Sequence, residues 1–321
     1  MLRVTLLRCA QAVVMLWAVA TALFFLLEAV PGGPVVALTG EFADADTVAR
    51  IETRLGLDRP LGERYGRFLG LLASGDVGHS YTYGRPALNV VWAHLPATLI
   101  LAVPAILLAA LLGLPLGIRA VRPGRTSGLI VAAALVAFAM PIFWLGHMLR
   151  LSPGVGQIFP VQGMTDARAF HEGAAFALDV AHHAILPCLT LVLHQMAYTV
   201  LITRRAMKAQ MTRPYVQTGF AKGASRRRVE WRHALPNGAP PIIALFGNRI
   251  GWFLSGAILV EVVFAWPGLG QLTVAAIQNR DTPLVVGIVL VGCLFTMLGN
   301  LLADLTQMSS DVRLRNEAGA A

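Results

Sequence analysis

Long apolar runs separated by short charged segments dominate the chain. Each run is about as long as the ~20 residues with which a helix crosses the hydrocarbon core of a bilayer. Five of the runs contain no Asp, Glu, Lys or Arg, whereas the fifth in chain order contains Arg249 and Glu261. The pattern therefore predicts six transmembrane helices, at Cys9–Leu27, Leu95–Ile118, Thr126–Leu149, Val180–Thr203, Pro241–Ala265 and Thr282–Ala303.

The composition indicates a membrane protein, and the positions of the basic residues orient it. Of the 321 residues, 56% are hydrophobic and 13% are charged, whereas soluble domains carry about 25% charged residues. Sixteen of the 26 Lys and Arg residues lie in the N-terminal segment, the segment between the second and third spans, the central segment and the C-terminal segment. Because cytoplasmic loops are enriched in Lys and Arg, both termini are predicted to be cytoplasmic. The same enrichment accounts for the net charge of +9 without nucleic-acid binding.

The spans divide the chain into a cytosolic N-terminus with the first helix (1–30), an outer loop (31–94), a five-helix core (95–311) and a cytosolic tail (312–321). The outer loop contains two amphipathic helix patterns. Asp46 is predicted to cap the first helix, which ends at Gly56, and Leu61 begins the second. We expect this loop to lie on the outer membrane face. Packing against its own helices is favoured, and contact with a partner is left open.

Residues 204–240, called here the central basic segment, carry nine Lys and Arg residues and a single acid, Glu230. Nine residues separate Gly223 from His233, and Leu235-Pro236 follow shortly after. A membrane protein that concentrates its charge in one internal segment is expected to use that segment to contact something in the cytosol.

Several kinds of chemistry are absent from the sequence. A phosphate-binding P-loop requires Gly-Lys-Ser/Thr, and neither Lys208 nor Lys222 follows a glycine or precedes Ser or Thr. If ATP drives this protein, the nucleotide therefore binds another chain. The G-x-S-x-G and H-E-x-x-H motifs are also missing, so a membrane enzyme has no candidate nucleophile and base. Cys9, Cys188 and Cys293 lie in three different spans and suggest neither a disulfide framework nor a metal site.

Histidines on the outer side allow one metal hypothesis. His171, His182, His183 and His194 lie in or near the fourth span, and imidazole suits nickel or zinc. Adjacent residues on a helix point about 100° apart, so His182 and His183 do not readily face one ion. Interfacial or helix-capping roles are therefore favoured over metal binding.

The two charges inside the fifth span are candidates for the transport pathway. Charged side chains within a bilayer are costly and usually face a cavity or a partner. Arg249 is expected either to pair with Asp304 or to line a pathway and meet an anionic group of the cargo. Snorkelling or packing at a subunit contact is the alternative for Arg249. Glu261 lies near the outer end of the span, where fixing the helix geometry is its favoured role.

The central basic segment resembles the signature of type I ABC importer membrane subunits: Glu-Ala-Ala, three residues, Gly, nine residues, then Ile-x-Leu-Pro. Gln217-Thr218-Gly219 occupy the first triplet, Gly223 the glycine, and Leu235-Pro236 the ending. The similarity is greater to the peptide/nickel branch, whose Tyr-Val-x-Thr-Ala-x-Ala-Lys-Gly pattern is matched at Tyr215, Val216, Thr218, Ala221, Lys222 and Gly223. Further stretches similar to that branch are Leu55–Leu61, Gly84–Pro86, Leu95–Leu99, Pro141–Gly146, Leu186–Leu191, Phe264–Gly270 and Asn279–Val285.

The resemblance implies an all-α, six-helix permease subunit with the type I ABC importer transmembrane fold in a bacterial inner membrane. It also implies a second homologous permease subunit, two ABC ATPase subunits that bind ATP and Mg²⁺, and a periplasmic solute-binding protein, with membrane lipid around the helices and no cofactor in this chain. The residues that dock the ATPase would be Arg213, Tyr215, Val216, Gln217, Thr218, Gly219, Phe220, Ala221, Lys222, Gly223, Ala224, Ser225 and Arg226.

Helical spacing adds an expectation about the surface of this docking region. Residues four apart share one helix face, so Tyr215 with Gly219, and Val216 with Phe220, can form an apolar knob, and Gly223 can turn the chain. The sequence departs from the family pattern where Gln217 lacks the usual carboxylate and where Gly219 and Phe220 replace Ala and Arg.

Import of short peptides is the favoured function, and import of nickel or a metal chelate is the alternative within the same branch. From another class, a self-sufficient channel or secondary carrier remains as a less favoured hypothesis. Such a carrier is expected to have acids or proton relays inside its helices, and the first four spans contain only histidines and Glu28 at one edge.

Overall fold

The computed structural model describes residues 2–30, 35, 36, 38, 44–166, 168 and 172–310, with no side-chain description for 2–9, 248–256 and 307–310. Within these residues the chain is helical and contains no β-strand. The helices are α1 (Leu2–Glu28), α2 (Ala45–Leu55), α3 (Leu61–Ala73), α4 (Ala87–Arg119), α5 (Arg125–Ala139), α6 (Ile142–Leu151), α7 (Val155–Ile158), α8 (Gly173–Met211), α9 (Pro214–Ala221), α10 (Arg226–Arg228), a π-helix (Val229–Ala234), α11 (Leu235–Val263), α12 (Leu269–Gln278) and α13 (Thr282–Ser310).

Four of these helices are long and apolar enough to cross a membrane: α1, α4, α8 and α13. The bent pair α5 and α6 forms a fifth candidate span among the described residues. Helix α11 has 29 residues, about 43 Å at ~1.5 Å per residue, and includes the fifth apolar run of the sequence. The all-α, polytopic prediction is confirmed, and α11 occupies the place of the remaining predicted span.

Contacts divide the chain into two compact units, Met1–Ala97 with Pro267–Met297 and Thr98–Trp266 with Leu298–Ala321. In the first unit, α3 of the outer loop packs against α1. The Arg64 guanidinium pairs with the Glu28 carboxylate at 2.6 Å, and the Thr21 and Tyr65 hydroxyls lie 2.7 Å apart. The Phe24 ring contacts the rings of Tyr65 and Phe68 at a tilt, with centroids 5.3 Å apart in each pair. The prediction that the outer loop packs on its own helices is confirmed for α3.

The caps of α2 correct one detail of the sequence analysis. The N-cap is Asp44, whose carboxylate accepts from the Thr47 amide at 3.3 Å, whereas Asp46 lies in the first turn. Asp46 is thus placed where its charge favours the positive end of the helix, but it is not the cap. Gly56 ends the helix in the left-handed conformation, with a φ of 70°, as predicted.

A buried carboxylate fixes the start of α13 in the first unit. Asp281 is fully buried and accepts hydrogen bonds from the Ser80 hydroxyl at 2.5 Å and the Thr82 amide at 3.0 Å. Its second oxygen caps α13 through the Leu284 amide at 3.3 Å. Burial, with the Asp281 charge adding to it, raises the pKa of Tyr81 to about 12. One acid therefore holds the turn around residue 80 against the start of the last long helix.

Helices α4 and α8 approach closely in the second unit because glycines on α4 face threonines on α8. A Cβ atom added at Gly113 would lie 2.8 Å from the Thr199 Cβ, and one at Gly117 would lie 2.5 Å from the Thr203 Cβ. Small residues spaced by four allow helix backbones in a membrane to pack at short range. Helix α8 is also the most buried of the candidate spans. In its most apolar stretch 56% of the residues are buried, against 6% in that of α1.

The predicted third span, Thr126–Leu149, is not one straight helix. It is broken at Met140 and Pro141, and α5 and α6 meet at an angle of 99°. Proline lacks an amide hydrogen, and its ring disfavours helical geometry at the preceding residue. Met140 is accordingly extended, with a ψ of 131°. The expectation that the helix stops near Arg150 is confirmed, because α6 ends at Leu151.

The central basic segment is mostly helical, and the predicted end of the fourth span at Thr203 is not the end of a helix. Helix α8 continues to Met211, and α9, α10, the π-helix and the start of α11 follow with short breaks. Ala, Met, Lys and Gln, which compose residues 206–211, are all good helix formers. The charged residues from Arg204 onward correctly indicated where the apolar run ends, but they did not indicate where the helix ends.

We predict that Gly117→Ala destabilises the packing of α4 on α8, because its Cβ would overlap Thr203. Overpacking of this kind typically costs about 1–3 kcal/mol, so the melting temperature of the detergent-solubilised chain should fall by several degrees. Gly292→Ala is the matched control, since an added Cβ there meets no atom within 4 Å. It should leave the melting temperature unchanged or slightly raised. Equal melting temperatures for the two variants would contradict the close approach.

Candidate functional site

Residues 213–226, which are predicted to dock the ATPase and are called here the docking region, begin where α8 ends, and only Thr212 and Arg213 separate α8 from α9. Pro214 occupies the first turn of α9, a position where its missing amide hydrogen costs nothing and its fixed φ favours the helix. Arg213 precedes it with an extended backbone, φ −76° and ψ 145°. The sequence thus ends one helix and starts the next within two residues.

Gly223 ends α9 in a Schellman motif. Its φ is +76°, its amide donates to the Phe220 carbonyl at 2.9 Å, and the Ala224 amide donates to the Gly219 carbonyl at 3.2 Å. These are the two bonds that close a helix through a left-handed residue, and glycine adopts that conformation without a Cβ penalty. The predicted turn at Gly223 is confirmed. Ser225 then caps α10, and its hydroxyl accepts from the Arg228 amide at 3.4 Å.

One face of α9 is buried in an apolar cluster. Val216 is fully buried there, together with Ile118 from α4, Met207 from α8, and Val229 and Ala234 from the π-helix. The side chains of Val121, Met211, Phe220, Ala224 and Leu235 pack around this cluster. The predicted apolar knob of Val216 and Phe220 is therefore wrong in its direction. Both residues attach α9 to the chain, because burial of their side chains stabilises the fold more than exposure to the cytosol would.

The opposite face of α9 is polar and exposed. Its exposed residues are Arg213, Pro214, Tyr215, Gln217, Thr218, Ala221 and Lys222. Tyr215 is 39% exposed, and its hydroxyl donates to the Gln210 side-chain oxygen at 2.9 Å. The Gln217 side-chain amide donates to the Met211 carbonyl at 3.3 Å, and the Thr218 hydroxyl donates to the Pro214 carbonyl at 3.1 Å. The Gln217 and Thr218 side chains therefore lie along the backbone, and the Tyr215 hydroxyl is held by Gln210. As a result, these three side chains project little from the helix.

Glu230 is the residue that sequence reasoning undervalued. Its side chain is 1% exposed, and it accepts from the Arg122 guanidinium at 2.6 Å through Nη2 and 3.0 Å through Nε. The Arg226 Nε donates to the same carboxylate at 3.0 Å. A bidentate contact of this kind is stronger than a single neutral hydrogen bond. Its hydrogen bonds raise the pKa of Arg122 above the usual value.

This ion-pair network ties three segments together. Arg122 follows α4, Arg226 belongs to α10, and Glu230 lies in the first turn of the π-helix. The available signal in the sequence was that Glu230 is the only acid among nine bases in the central basic segment. Arg122 lies 108 residues away along the chain, so neither periodicity nor spacing indicated the pair.

The π-helix lies next to the Leu235-Pro236 ending of the signature. Pro236 has no amide hydrogen, so an α-helix through this region would lose one backbone hydrogen bond. A one-turn widening of the helix is the form in which π-helical residues usually occur. The Asn237 side-chain amide donates to the His233 carbonyl at 2.7 Å and thereby satisfies one carbonyl in this turn. Glu230 is thus held on an irregular turn, directly between α10 and α11.

The Ala120 carbonyl at the end of α4 receives two side-chain hydrogen bonds. The Arg204 Nε of α8 donates to it at 3.1 Å, and the Ser127 hydroxyl of α5 donates to it at 2.5 Å. The last carbonyls of a helix have no partners within the helix. Side chains of two neighbouring helices supply them here, so α4, α5 and α8 are joined at one level beside the central basic segment.

Of the predicted pathway residues, Glu261 is completely buried. The Thr98 hydroxyl donates to it at 2.7 Å, and this contact joins α11 to α4. The side chain of Arg249 lies outside the described residues, although its backbone belongs to α11. Asp304 is partly buried in α13. The hypothesis that Arg249 pairs with Asp304 therefore remains a prediction.

His182 and His183 contact different partners. His182 Nε2 lies 3.0 Å from the Ile158 carbonyl oxygen, and His183 Nδ1 lies 3.0 Å from an Asp179 carboxylate oxygen. The planes of the two rings differ by 81°. Among the described residues, no three His, Cys, Asp or Glu residues lie close enough to hold a metal ion. His171 lies outside the described residues.

We predict that Gly219→Ala stabilises the chain and Gly223→Ala destabilises it. An added Cβ at Gly219 would meet Val229 at 3.5 Å, an ordinary van der Waals contact, and alanine favours a helix interior by about 1 kcal/mol over glycine. At Gly223 the left-handed backbone makes alanine unfavourable by about 1–2 kcal/mol. Thermal melting of the two variants should move in opposite directions. Two shifts of the same sign would contradict the assigned backbone of α9.

We also predict that Glu230→Gln loosens the docking region. Both guanidiniums would lose their counter-charge, and the free energy of unfolding should fall by about 1–3 kcal/mol. The Arg122 and Arg226 side chains are 33% and 44% exposed, so water compensates part of the loss. Trypsin should then cleave within residues 226–228 faster than in the unmodified chain.

Arg205→Gln is the control for that experiment, because Arg205 is exposed and forms no ion pair with any residue the structure describes, and its replacement leaves the trypsin sites at 226–228 intact. Arg122→Gln should reduce stability more than Arg226→Gln, since Arg122 makes the bidentate contact. If Glu230→Gln melts and is cleaved like the Arg205 variant, the network does not hold the segment.

Known proteins are similar to this chain over most of its length. The family described as binding-protein-dependent transport system inner membrane component matches residues 97–316, and the corresponding N-terminal family matches residues 1–102. The chain is 34% identical to a probable D,D-dipeptide transport system permease protein of Escherichia coli (strain K12), with 97% of each chain covered. It is 34% identical to a dipeptide transport system permease protein of the same organism, over 92% of this chain and 93% of the relative. An oligopeptide transport system permease protein of Bacillus subtilis (strain 168) is 32% identical, over 91% of this chain and 92% of the relative.

Proposed function

Because the chain belongs to the family of binding-protein-dependent transport system inner membrane components, we propose that it is a permease subunit that imports short peptides. The relatives cited above are named for D,D-dipeptides, dipeptides and oligopeptides, and this observation carries the assignment of cargo. No described feature favours nickel or a metal chelate over peptides. His182 and His183 already contact a carbonyl and a carboxylate of the same chain.

The family places the chain in an inner membrane and associates it with an ATPase and a binding protein. We propose the full assembly as this chain, a second similar permease, two ABC ATPase subunits and a periplasmic binding protein. ATP and Mg²⁺ would bind the ATPase subunits. The distribution of Lys and Arg supports cytoplasmic termini and a cytoplasmic central basic segment. In this orientation α2 and α3 lie on the periplasmic side, where the binding protein delivers its cargo.

The contact with the ATPase is proposed to use the exposed face of α9. Arg213, Gln217, Thr218, Ala221 and Lys222 would meet the partner, whereas Val216 and Phe220 hold the helix to the permease. The turn between the surface that would meet the ATPase and the surface packed on the permease is formed by Gly219, Gly223, Ala224 and Ser225. Gln217 has an amide in place of the usual carboxylate, so this contact would use hydrogen bonds where other members use a charge.

Closure of the ATPase subunits would then move α9, and the movement would pass into the permease through the buried cluster and the Glu230 network. Import requires the membrane helices to alternate between outward-open and inward-open arrangements. Arg249 is proposed to contact an anionic group of the cargo, such as a peptide carboxylate. Glu261, which is buried against Thr98, is proposed to keep the outer part of α11 in place.

We predict that Gly223→Glu abolishes uptake of a labelled dipeptide by membrane vesicles that contain the complete transporter. An added Cβ at Gly223 meets no atom of this chain within 4 Å, so the glutamate side chain projects toward the partner surface. Membrane insertion should remain intact, as measured by the amount of chain extracted from membranes. Gly223→Asn is the control, since asparagine tolerates the left-handed backbone better than other residues, and it should retain most of the uptake. Normal uptake by the glutamate variant would exclude α9 as the coupling element.

The class of transporter can be tested separately from the cargo. Vesicles reconstituted with this chain alone should not accumulate dipeptides, whereas vesicles with the permease pair, ATPase and binding protein should accumulate them when ATP is supplied. Uptake by the chain alone would support a channel or secondary carrier. Uptake of nickel but not of dipeptides by the complete transporter would overturn the peptide assignment while leaving the ATP-driven mechanism in place.

A further inference from the structure

A cavity of about 500 Å³ lies beside the central basic segment. Its walls are the turn after α4, the first three turns of α5 and the C-terminal part of α8. Three basic side chains line it, those of Arg122, Arg204 and Lys208, and none of its described lining residues is Asp or Glu. The proposed contact with the ATPase does not use these residues, so the cavity requires a separate explanation.

Two of the three positive charges at the cavity have no acidic partner among the residues that the structure describes. Arg122 pairs with Glu230 and is thereby neutralised. Arg204 donates to the neutral Ala120 carbonyl, and Lys208 is exposed. Arg204 and Lys208 are four residues apart on α8, and side chains at that spacing share one helix face. The cavity therefore presents two positive charges from the same direction.

Glycines open the opposite wall. Gly124 and Gly128 both line the cavity, and an added Cβ at either position would meet no atom within 4 Å. Gly124 also precedes α5 without providing a side-chain cap, so the positive end of this 15-residue helix adds to the charge of the basic side chains. Because the Cβ position at Gly128 is open, a bulky side chain there is expected to extend into the cavity.

The remaining wall is apolar and continues along α5. Val131, Ala132 and Leu135 line it, and Leu135 is 52% exposed. Helix α5 belongs to one of the candidate membrane spans. The cavity thus has a basic part next to the central basic segment and an apolar part that extends one to three turns along a membrane helix.

We propose that this cavity binds an anionic phospholipid, with the headgroup phosphate between Arg204 and Lys208 and an acyl chain along the apolar side of α5. Basic pockets between transmembrane helices on the cytoplasmic side bind anionic headgroups. A free phosphate ion would leave the apolar wall in contact with water. An acidic protein segment would place its polar backbone against that wall, where lipid-exposed backbone groups have no partners. The inference goes beyond the transport function and does not depend on the cargo.

The test uses the full-length chain in neutral detergent, with bound phosphatidylglycerol counted by native mass spectrometry during a titration. One phosphatidylglycerol should be retained in preference to phosphatidylcholine. Arg204→Gln combined with Lys208→Gln should weaken binding roughly 30-fold, since each basic residue contributes about 1 kcal/mol to binding an anionic membrane surface. Lys208→Gln alone, at an exposed position where folding is not at risk, should weaken binding about fivefold.

Two further variants separate this cavity from general surface charge. Gly128→Leu removes no charge but fills the cavity, and it should weaken binding at least tenfold. Arg227→Gln combined with Arg228→Gln removes two exposed charges outside the cavity and should change binding less than threefold. An equal loss in this control pair, or unchanged binding in Gly128→Leu, would overturn the proposal. Displacement of the lipid by millimolar inorganic phosphate would also overturn it, because the site would then take a soluble anion.

Discussion

An eight-residue helix is too short to be stable in water by itself, so α9 exists only because one of its faces is buried. Val216 supplies the centre of that face and contacts residues from α4, α8 and the π-helix. The polar face of the same helix is exposed as a consequence, with its orientation fixed by the buried one. A partner that binds α9 therefore also acts on the apolar cluster beneath it. The proposed coupling depends on the burial of this face of α9.

Charge acts together with packing in the same region. Nine basic residues within one segment repel each other, and a buried Glu230 between Arg122 and Arg226 compensates part of that repulsion. A carboxylate with 1% exposure is tolerated only with such partners, because a buried charge without one is costly. The network also joins segments on both sides of α9. The apolar cluster and the ion pairs thus hold the docking region from two directions.

The sequence predicted most elements that depend on local pattern, but it missed two local details and the contacts between distant residues. Apolar runs located α1, α4, α8 and α13, and Gly223 was expected to turn the chain, as it does. Pro141 breaks the third span because proline chemistry overrides an uninterrupted apolar pattern. Asp44 caps α2 in place of Asp46. Both are aspartates near the start of the helix, and sequence alone distinguishes poorly between two such cap positions. Arg122 could not be assigned to Glu230, since 108 residues separate them and only tertiary structure brings them together.

The length of α8 has a mechanical consequence. Its 39 residues extend about 58 Å at ~1.5 Å per residue, from the outer segment before it to the two residues that join it to α9. Because the helix is long, a small tilt moves its far end a long way: a tilt of about 5° about one end displaces the other end by about 5 Å. Pro187 lies within this helix and removes one backbone hydrogen bond, so the helix bends most easily there. Small rotations delivered at Met211 would thus displace the part of α8 inside the bilayer by atomic distances. The helix is stiffest between Pro187 and the docking region.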